Sequence, residues 1–509
     1  MSDHPAAVQS VDRHRAGGRR VTWLRRAGTA LGVVVLASGV TVAMLVAPLP
    51  TVLGLGAAAL FVAVMARPAI AAYVLVASTP LIVGIDRSAL VPVLRPNEAL
   101  LVVLGAALFV RGLVRNSSGE RIHFRLSSLD VALVVLCLTS SALPLLWEAM
   151  RGKAISGDDF LYSLTLWKYY AEFVVVRASL RGERHVRVCL WLSMAAASLV
   201  ALVAVLQSLQ LFGIPHLLAS WYAPFGTTTG LDINRGTSTL ASAIATGDVM
   251  AFNLGIALAM LARSRRHRPL LLGLSVLFAF GGIASGEFSA IIALVAVVAT
   301  IGLLTRTLTR KLAAMGGVGA LAALALQPVI ARRLHDFSGG IPAGWADRLA
   351  NLRQFFWPTL FSHFNYVLGV RPSPRVATPL FQTGFVWIES GQTWLLWTGG
   401  IPMFVAFYVF VWVALRCSLA ASRHRDGAIE VAALATFAAV VAMTVLMTFD
   451  PHLTLRGSAD LLFSLLALQA VRGGDRGDEP DQEDLTAASG QSLSGPLADR
   501  GGVMPVGGR

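Results

Sequence analysis

Residues 263–311 run RSRRHRPLLLGLSVLFAFGGIASGEFSAIIALVAVVATIGLLTRTLTRK. Two apolar runs, near 269–284 and 288–305, are parted only by a short break around Ser285, Gly286 and Glu287. Arg263, Arg265, Arg266 and Arg268 precede the pair, and Arg306, Arg310 and Lys311 follow it. A helix crosses hydrocarbon with about 20 apolar residues, sometimes as few as about 17. It satisfies its own backbone groups there, which an irregular segment cannot do. The stretch therefore predicts a helical hairpin with both basic ends on one side of a membrane. Basic residues collect on the cytoplasmic side, so that side is inside and Glu287 is outside.

The rest of the chain repeats this pattern. Of 509 residues, 55% are hydrophobic and only 14% charged, whereas a soluble domain carries about 25% charged residues. This composition excludes a string of soluble domains and indicates an integral membrane protein. The formal net charge of +14 is read as orientation and not as nucleic-acid binding, because the Arg clusters lie between the apolar runs. Cys137, Cys189 and Cys417 fall in or beside apolar runs, with no disulfide framework or zinc spacing. Residues 1–27 form a basic tail, and the first apolar run, with no clear cleavage site after it, is read as a retained span.

About fourteen spans are expected on the 17-to-20-residue criterion. They lie near 28–48, 51–66, 69–85, 98–113, 129–147, 158–176, 186–209, 239–262, 269–284, 288–305, 312–330, 391–415, 429–448 and 458–471. With the N-terminus inside, the basic clusters alternate with poorly charged short loops along the whole chain, which gives an N-in/C-in all-α bundle. Two longer outer segments interrupt the rhythm, at about 210–238 and 331–390. The second is unusually long for a tight bundle, and such loops commonly carry function. The transmembrane domain is thus 28–472, and the Gly-, Asp- and Ser-rich tail 473–509 is expected to be disordered.

Charged residues in or beside these spans are the candidate chemistry. Within the long loop, residues 345–358 predict an amphipathic helix stopped by Pro358, with Arg348, Asn351 and, more loosely, Gln354 on one face. Such a helix either lies on the membrane surface with Arg at lipid phosphates, or serves as an anion clamp through the planar Arg fork. Arg235 is the one basic residue of the shorter outer loop and precedes the eighth span; Thr237, Ser238 and Thr239 offer hydroxyls or a helix cap. In the sixth span, Lys168 and Glu172 are four residues apart and expected to pair on one face, as a structural ion pair or as part of a substrate cavity. Asp248 and Glu287 are isolated acids with structural or proton-related roles. Glu389 stands at the mouth of the twelfth span among Trp387, Trp394 and Trp397. It is either a cap at headgroup level, or a base whose pKa partial burial raises toward the working pH. His335 and His363 are competing bases. No Ser-His-Asp grouping, zinc spacing, Walker loop or nucleotide fingerprint is present.

Four segments in this order resemble the O-antigen ligase and O-antigen polymerase superfamily of bacterial envelope enzymes. They are NRGTSTLASAIATGDVMAFNLGIALAML (234–261), GGIASGEFSAIIALVAV (281–297), WADRLANLRQFFWPTLFSHFNYVLGVRPS (345–373) and WIESGQTWLLWTGGIPMF (387–404). The family often has a Ser-Arg-Gly entry at the second segment, where the Arg is replaced here. In the fourth it usually has His-Asn followed by a helix-start Gly, positions that Glu389-Ser390 and Gly400 occupy in this chain. An acid at that place is closer to the polymerases than to the ligases.

The resemblance implies a glycosyltransferase of the inner membrane of a bacterium, acting at the outer face on an undecaprenyl-diphosphate-linked oligosaccharide. Glu389 would take the proton of the acceptor hydroxyl as it attacks the anomeric carbon with inversion. Arg235 and Arg348 would stabilise charge developing on the diphosphate. Arg353, Arg371, Lys168 and His363 complete the expected substrate-binding set. No metal or cofactor is expected, since Arg supplies the positive charge. Expected partners are membrane lipid, a flippase and a chain-length regulator of the same pathway. A ligase acting on a lipid or protein acceptor is the nearest alternative. A transporter or flippase is the alternative of another class, weakened by the lack of a repeated half.

Overall fold

The computed structural model describes residues 44, 47–87, 90, 94–118, 126–222, 235–263, 267–335, 343–381, 384–424 and 427–471. The expected tails 1–27 and 473–509 and nearly all of the first span lie outside the described residues. In chain order the helices are α1 (Pro48–Ala66), α2 (Ala69–Ile82), α3 (Pro96–Ser117), α4 (Ser128–Ser140), α5 (Ala142–Met150), α6 (Gly157–Ser163) and α7 (Thr165–Ser179). Next come α8 (Glu183–Ser208), α9 (Ile214–Trp221), α10 (Ala243–Arg263), α11 (Arg268–Ala284), α12 (Phe288–Leu304), α13 (Leu308–Ala325) and α14 (Gln327–His335). The last are α15 (Ala343–Asn351), α16 (Trp357–Phe361), α17 (Asn365–Leu368), α18 (Gly391–His424), α19 (Ala428–Leu446) and α20 (Ser458–Gln469).

Among the described residues, 7 helical stretches are long and apolar enough to cross a membrane, and α2, α11, α12 and α20 are shorter apolar helices. The hairpin of the opening stretch is α11 and α12, turning at Ser285–Gly286–Glu287. The centre of the bundle is α10, of which 83% of the apolar window is buried, and α19, at 78%; α1, at 6%, lies on the periphery. Small residues let α10 sit this deep. A Cβ on Gly247 would lie 2.4 Å from the Cβ of Ala290 on α12, the close backbone approach that holds apolar helices together without a hydrophobic driving force.

Several expected spans are broken. The one near 129–147 divides into α4 and α5, because Ser140 and Ser141 both return their hydroxyls to the Cys137 carbonyl, 2.9 and 2.6 Å away. That near 158–176 divides into α6 and α7 at Leu164, and that near 312–330 into α13 and α14 ahead of Pro328. The expected span 391–415 falls on α18, which runs for 34 residues. A straight helix of that length, at 1.5 Å per residue, would be about 50 Å long, well beyond the hydrocarbon of about 30 Å. It is broken at Gly400 (φ 64°, ψ −157°), after which Pro402 stands where a restarting helix tolerates it. The two arms fold toward one another, so that Tyr408 Oη reaches Gln392 Oε1 at 3.3 Å.

The connection 331–390 is partly helical, as expected, but its helix does not stop at Pro358. After α15 the chain takes a π turn, Leu352–Phe356, in which the Trp357 amide bonds the Leu352 carbonyl; α16 then begins with Pro358 in its first turn. Widening the turn solves the problem of a Pro with no N–H to give. Two short strands follow, β1 (Arg375–Ala377) and β2 (Phe385–Trp387), paired antiparallel with Arg375 opposite Trp387.

Candidate functional site

Arg348, Glu389 and Asp450 come from three separate pieces of chain. Arg348 is on α15, Glu389 directly follows β2, and Asp450 closes the turn after α19. Arg348 Nη1 donates to Asp450 Oδ2 at 2.8 Å, while its Nε lies 3.9 Å from Glu389 Oε1. Asp450 is nearly buried; the Glu389 side chain keeps 35% of its surface exposed. Asn351, one turn beyond Arg348, also acts on Glu389, lowering its pKa, so the expected shared face of Arg348 and Asn351 is turned to one carboxylate. Gln354 falls in the π turn and is exposed.

Glu389 does not cap α18. Ser390 does: its hydroxyl accepts from the Thr393 amide at 3.3 Å, the bond expected of an N-cap. Burial raises the pKa of Glu389; Arg348 and Asn351 pull it down and Asp450 pushes it up, and the net shift is upward from its ordinary value. Burial works against the Arg348 guanidinium, but Asp450, Glu389 and Glu287 outweigh it and hold the proton more firmly. A protonated Arg beside a carboxylate of raised basicity is the electrostatic arrangement for moving a proton near a developing anion.

Arg235 enters from the segment before α10. The Gly236 amide donates to the Ala284 carbonyl at 3.0 Å, and Arg235 Nη1 donates to Glu287 Oε1 at 2.8 Å. Its side chain is 38% exposed. Glu287 also acts electrostatically on Arg348. The hydroxyls of Thr237, Ser238 and Thr239 face the core instead of capping α10. Thr237 accepts from Gln207, and Ser238 and Thr239 donate to the Val200 and Pro80 carbonyls. Ser242 caps the helix, accepting from the Ala245 amide at 3.2 Å.

The other expected residues stand apart. Lys168 does not pair with Glu172 along α7; its Nζ lies 2.9 Å from Asp460 Oδ1 on α20, while Glu172 accepts from Ser464 at 3.0 Å. Both acids are buried deep in the bundle, where charged groups pair with one another. Arg371 is a strut: Nε and Nη2 each meet an oxygen of fully buried Asp159 at 2.8 Å, and the Ser373 amide bonds that carboxylate at 3.2 Å. Arg353 and His363 are exposed, Arg353 on the π turn and His363 at a positive φ of 49°. His335 ends α14.

Sequence reasoning missed Asp450 and its neighbour His452. His452 Nδ1 lies 2.7 Å from Asp248 Oδ2, both side chains 1% exposed, and its amide bonds the Asp450 carbonyl at 2.7 Å. Burial lowers the His452 pKa, yet Asp248 and Asp450 more than reverse this, and it stands above the ordinary histidine value. The segment FDPH (449–452) is an Asp-Pro turn between two apolar runs, a signal that marks a turn but not what the turn touches. No family model and no curated protein matches the chain.

Proposed function

We propose that the chain is a membrane glycosyltransferase that extends or transfers a polyprenyl-diphosphate-linked oligosaccharide, with Glu389 as the base and Arg348 and Arg235 as the groups that meet the diphosphate. In this reading all fourteen spans cross the bacterial cytoplasmic membrane, both termini are inside and the 331–390 connection faces out. One observation carries it. Glu389, relieved of capping by Ser390, is held half-exposed within 3.9 Å of an Arg that Asp450 already orients. The reaction forms a bond from the acceptor oxygen to the anomeric carbon and breaks that carbon's bond to the diphosphate. The proton goes to Glu389 and the electron pair to the leaving group. An acid in place of the family's usual His favours the polymerase form over the ligase.

The test uses the purified full chain in proteoliposomes with a polyprenyl-diphosphate oligosaccharide, scoring product length and released lipid diphosphate. Glu389→Gln should insert normally and lower transfer by at least about 100-fold, as loss of a general base does. Transfer at the unaltered rate by Glu389→Gln would overturn the base assignment.

A further inference from the structure

The backbone of β2 and the residues just after it alternates in burial. Val386 and Ile388 are buried, whereas Phe385, Trp387 and Glu389 are partly open. In an extended chain every second side chain points the same way, about 6.6 Å from the last. Phe385, Trp387 and Glu389 therefore form one row on one face. The facing strand adds to it. Arg375 is directly opposite Trp387, with its guanidinium carbon 4.7 Å from the Phe385 ring centre and 5.9 Å from that of Trp387. Tyr162 meets Trp387 edge-on with ring centres 5.9 Å apart. Asp158 accepts from Arg375 Nε at 2.7 Å and keeps 36% of its side chain exposed.

An aromatic belt at a membrane surface needs amphipathic rings and nothing more. This row has aromatic rings beside a partly exposed carboxylate–guanidinium pair, and it leads to a candidate base. The combination is matched to a carbohydrate. The C–H face of a pyranose packs on an aromatic ring, and its hydroxyls, each a donor and an acceptor, are met by a carboxylate that accepts and a guanidinium that donates. We infer that Phe385 and Trp387, edged by Arg375 and Asp158, form a subsite for the sugar rings of the acceptor oligosaccharide, which lies along β2 with its terminal hydroxyl at Glu389. This deepens the proposed function and rests on it for the word acceptor. The subsite as a carbohydrate-binding surface does not depend on the transfer.

Arg371 and Asp159 explain how a two-stranded ribbon, marginal on its own, holds such a surface still. The bidentate pair clamps the chain just before β1 to the start of α6, the helix that also carries Asp158 and Tyr162.

The experiment is saturation-transfer NMR on the full chain in detergent, with neutral cello-, malto- and chito-oligosaccharides as probes. Wild type should receive saturation transfer from at least one series. Trp387→Ala and Asp158→Asn should each weaken it by about tenfold or more, with Trp387→Phe keeping most of it, since a ring remains. Wild-type signals from both Trp387→Ala and Asp158→Asn, or no signal from any probe on wild type, would overturn the subsite. Oligosaccharide binding that needs Trp387, in a protein that transfers nothing, would uphold the subsite and refute the transferase reading instead.

Discussion

Burial raises the basicity of Glu389 most, and Asp450 adds to it without touching it. Asp450 holds Arg348 at 2.8 Å, leaving Glu389 the longer 3.9 Å approach. Replacing Asp450 by Asn removes one repelling charge from Glu389. That change lowers the Glu389 pKa. Two unit charges at about 4 Å interact by roughly 4 kcal/mol at an effective dielectric of about 20, an upper bound for Asp450, which acts from beyond Arg348. Glu389 is 35% exposed, and water cuts such a pair to about 1 kcal/mol or less. A base works only when ionised, so transfer rises with pH through the Glu389 pKa. In Asp450→Asn this acid limb should move to lower pH, and the plateau should fall because a weaker base takes the proton less readily. The assay is the pH–rate profile of the reconstituted chain under single-turnover conditions. An acid limb that stays in place or moves up would refute the coupling of the two acids, whatever happens to the plateau.

Two further outcomes concern the scaffold. Gly400→Ala should cost about 2–6 kcal/mol, as backbone strain at positive φ (~1–3) adds to overpacking (~1–3). Its Cβ would lie 2.3 Å from the Val367 carbonyl oxygen, and unfolding in denaturant with wild-type stability would contradict this. His452 has its pKa raised in the folded chain, so its contribution to stability is complete below its ordinary value of about 6.5 and is lost as pH rises through the folded value. The Tm of wild type should fall across that window relative to Asp248→Asn, and parallel curves would remove the pair as its cause.

The bundle was legible in the sequence because hydrocarbon imposes a minimum apolar length. Each expected stretch from 51 onward does hold a helix. What the pattern missed were breaks inside apolar runs. Ser140 and Ser141 count as mildly polar in any window, yet both bend the chain by bonding the Cys137 carbonyl. Gly400 was legible as a helix start, but not that the arm before it, 391–399, folds back. The site was legible where a residue's oddity is local: a lone outer Arg235, an Arg348 one helical turn from Asn351, a Glu389 at a span mouth. Partners brought by folding were not. Lys168 was assigned the acid four residues away, but its oxygen comes from Asp460, 292 positions later in sequence. Asp450 and His452 had only the signature of a turn.

The cluster also constrains how the proposed reaction balances charge. Among the described contacts, Arg235 pairs with Glu287, and Arg348 pairs with Asp450 and, at longer range, Glu389, two cations against three carboxylates. A diphosphate approaching this set meets guanidiniums that are already paired, and three acids repel it. Of the contacts, that between Arg348 and Glu389 is the longest at 3.9 Å, and Glu389 is the acid whose pKa is raised. When Glu389 takes the acceptor's proton its charge vanishes, and Arg348 loses one of its counter-charges as the leaving diphosphate gains one. Asp450 meanwhile keeps the guanidinium in place, so nothing large has to move. Proton transfer and leaving-group stabilisation are then one electrostatic event centred on Arg348. It follows that Arg348→Lys, which keeps the charge but gives up the planar fork that spans Asp450 and Glu389, should fail as badly as Arg348→Ala. Rescue of transfer by that Lys would show that positive charge alone is sufficient and that the shared geometry is not needed.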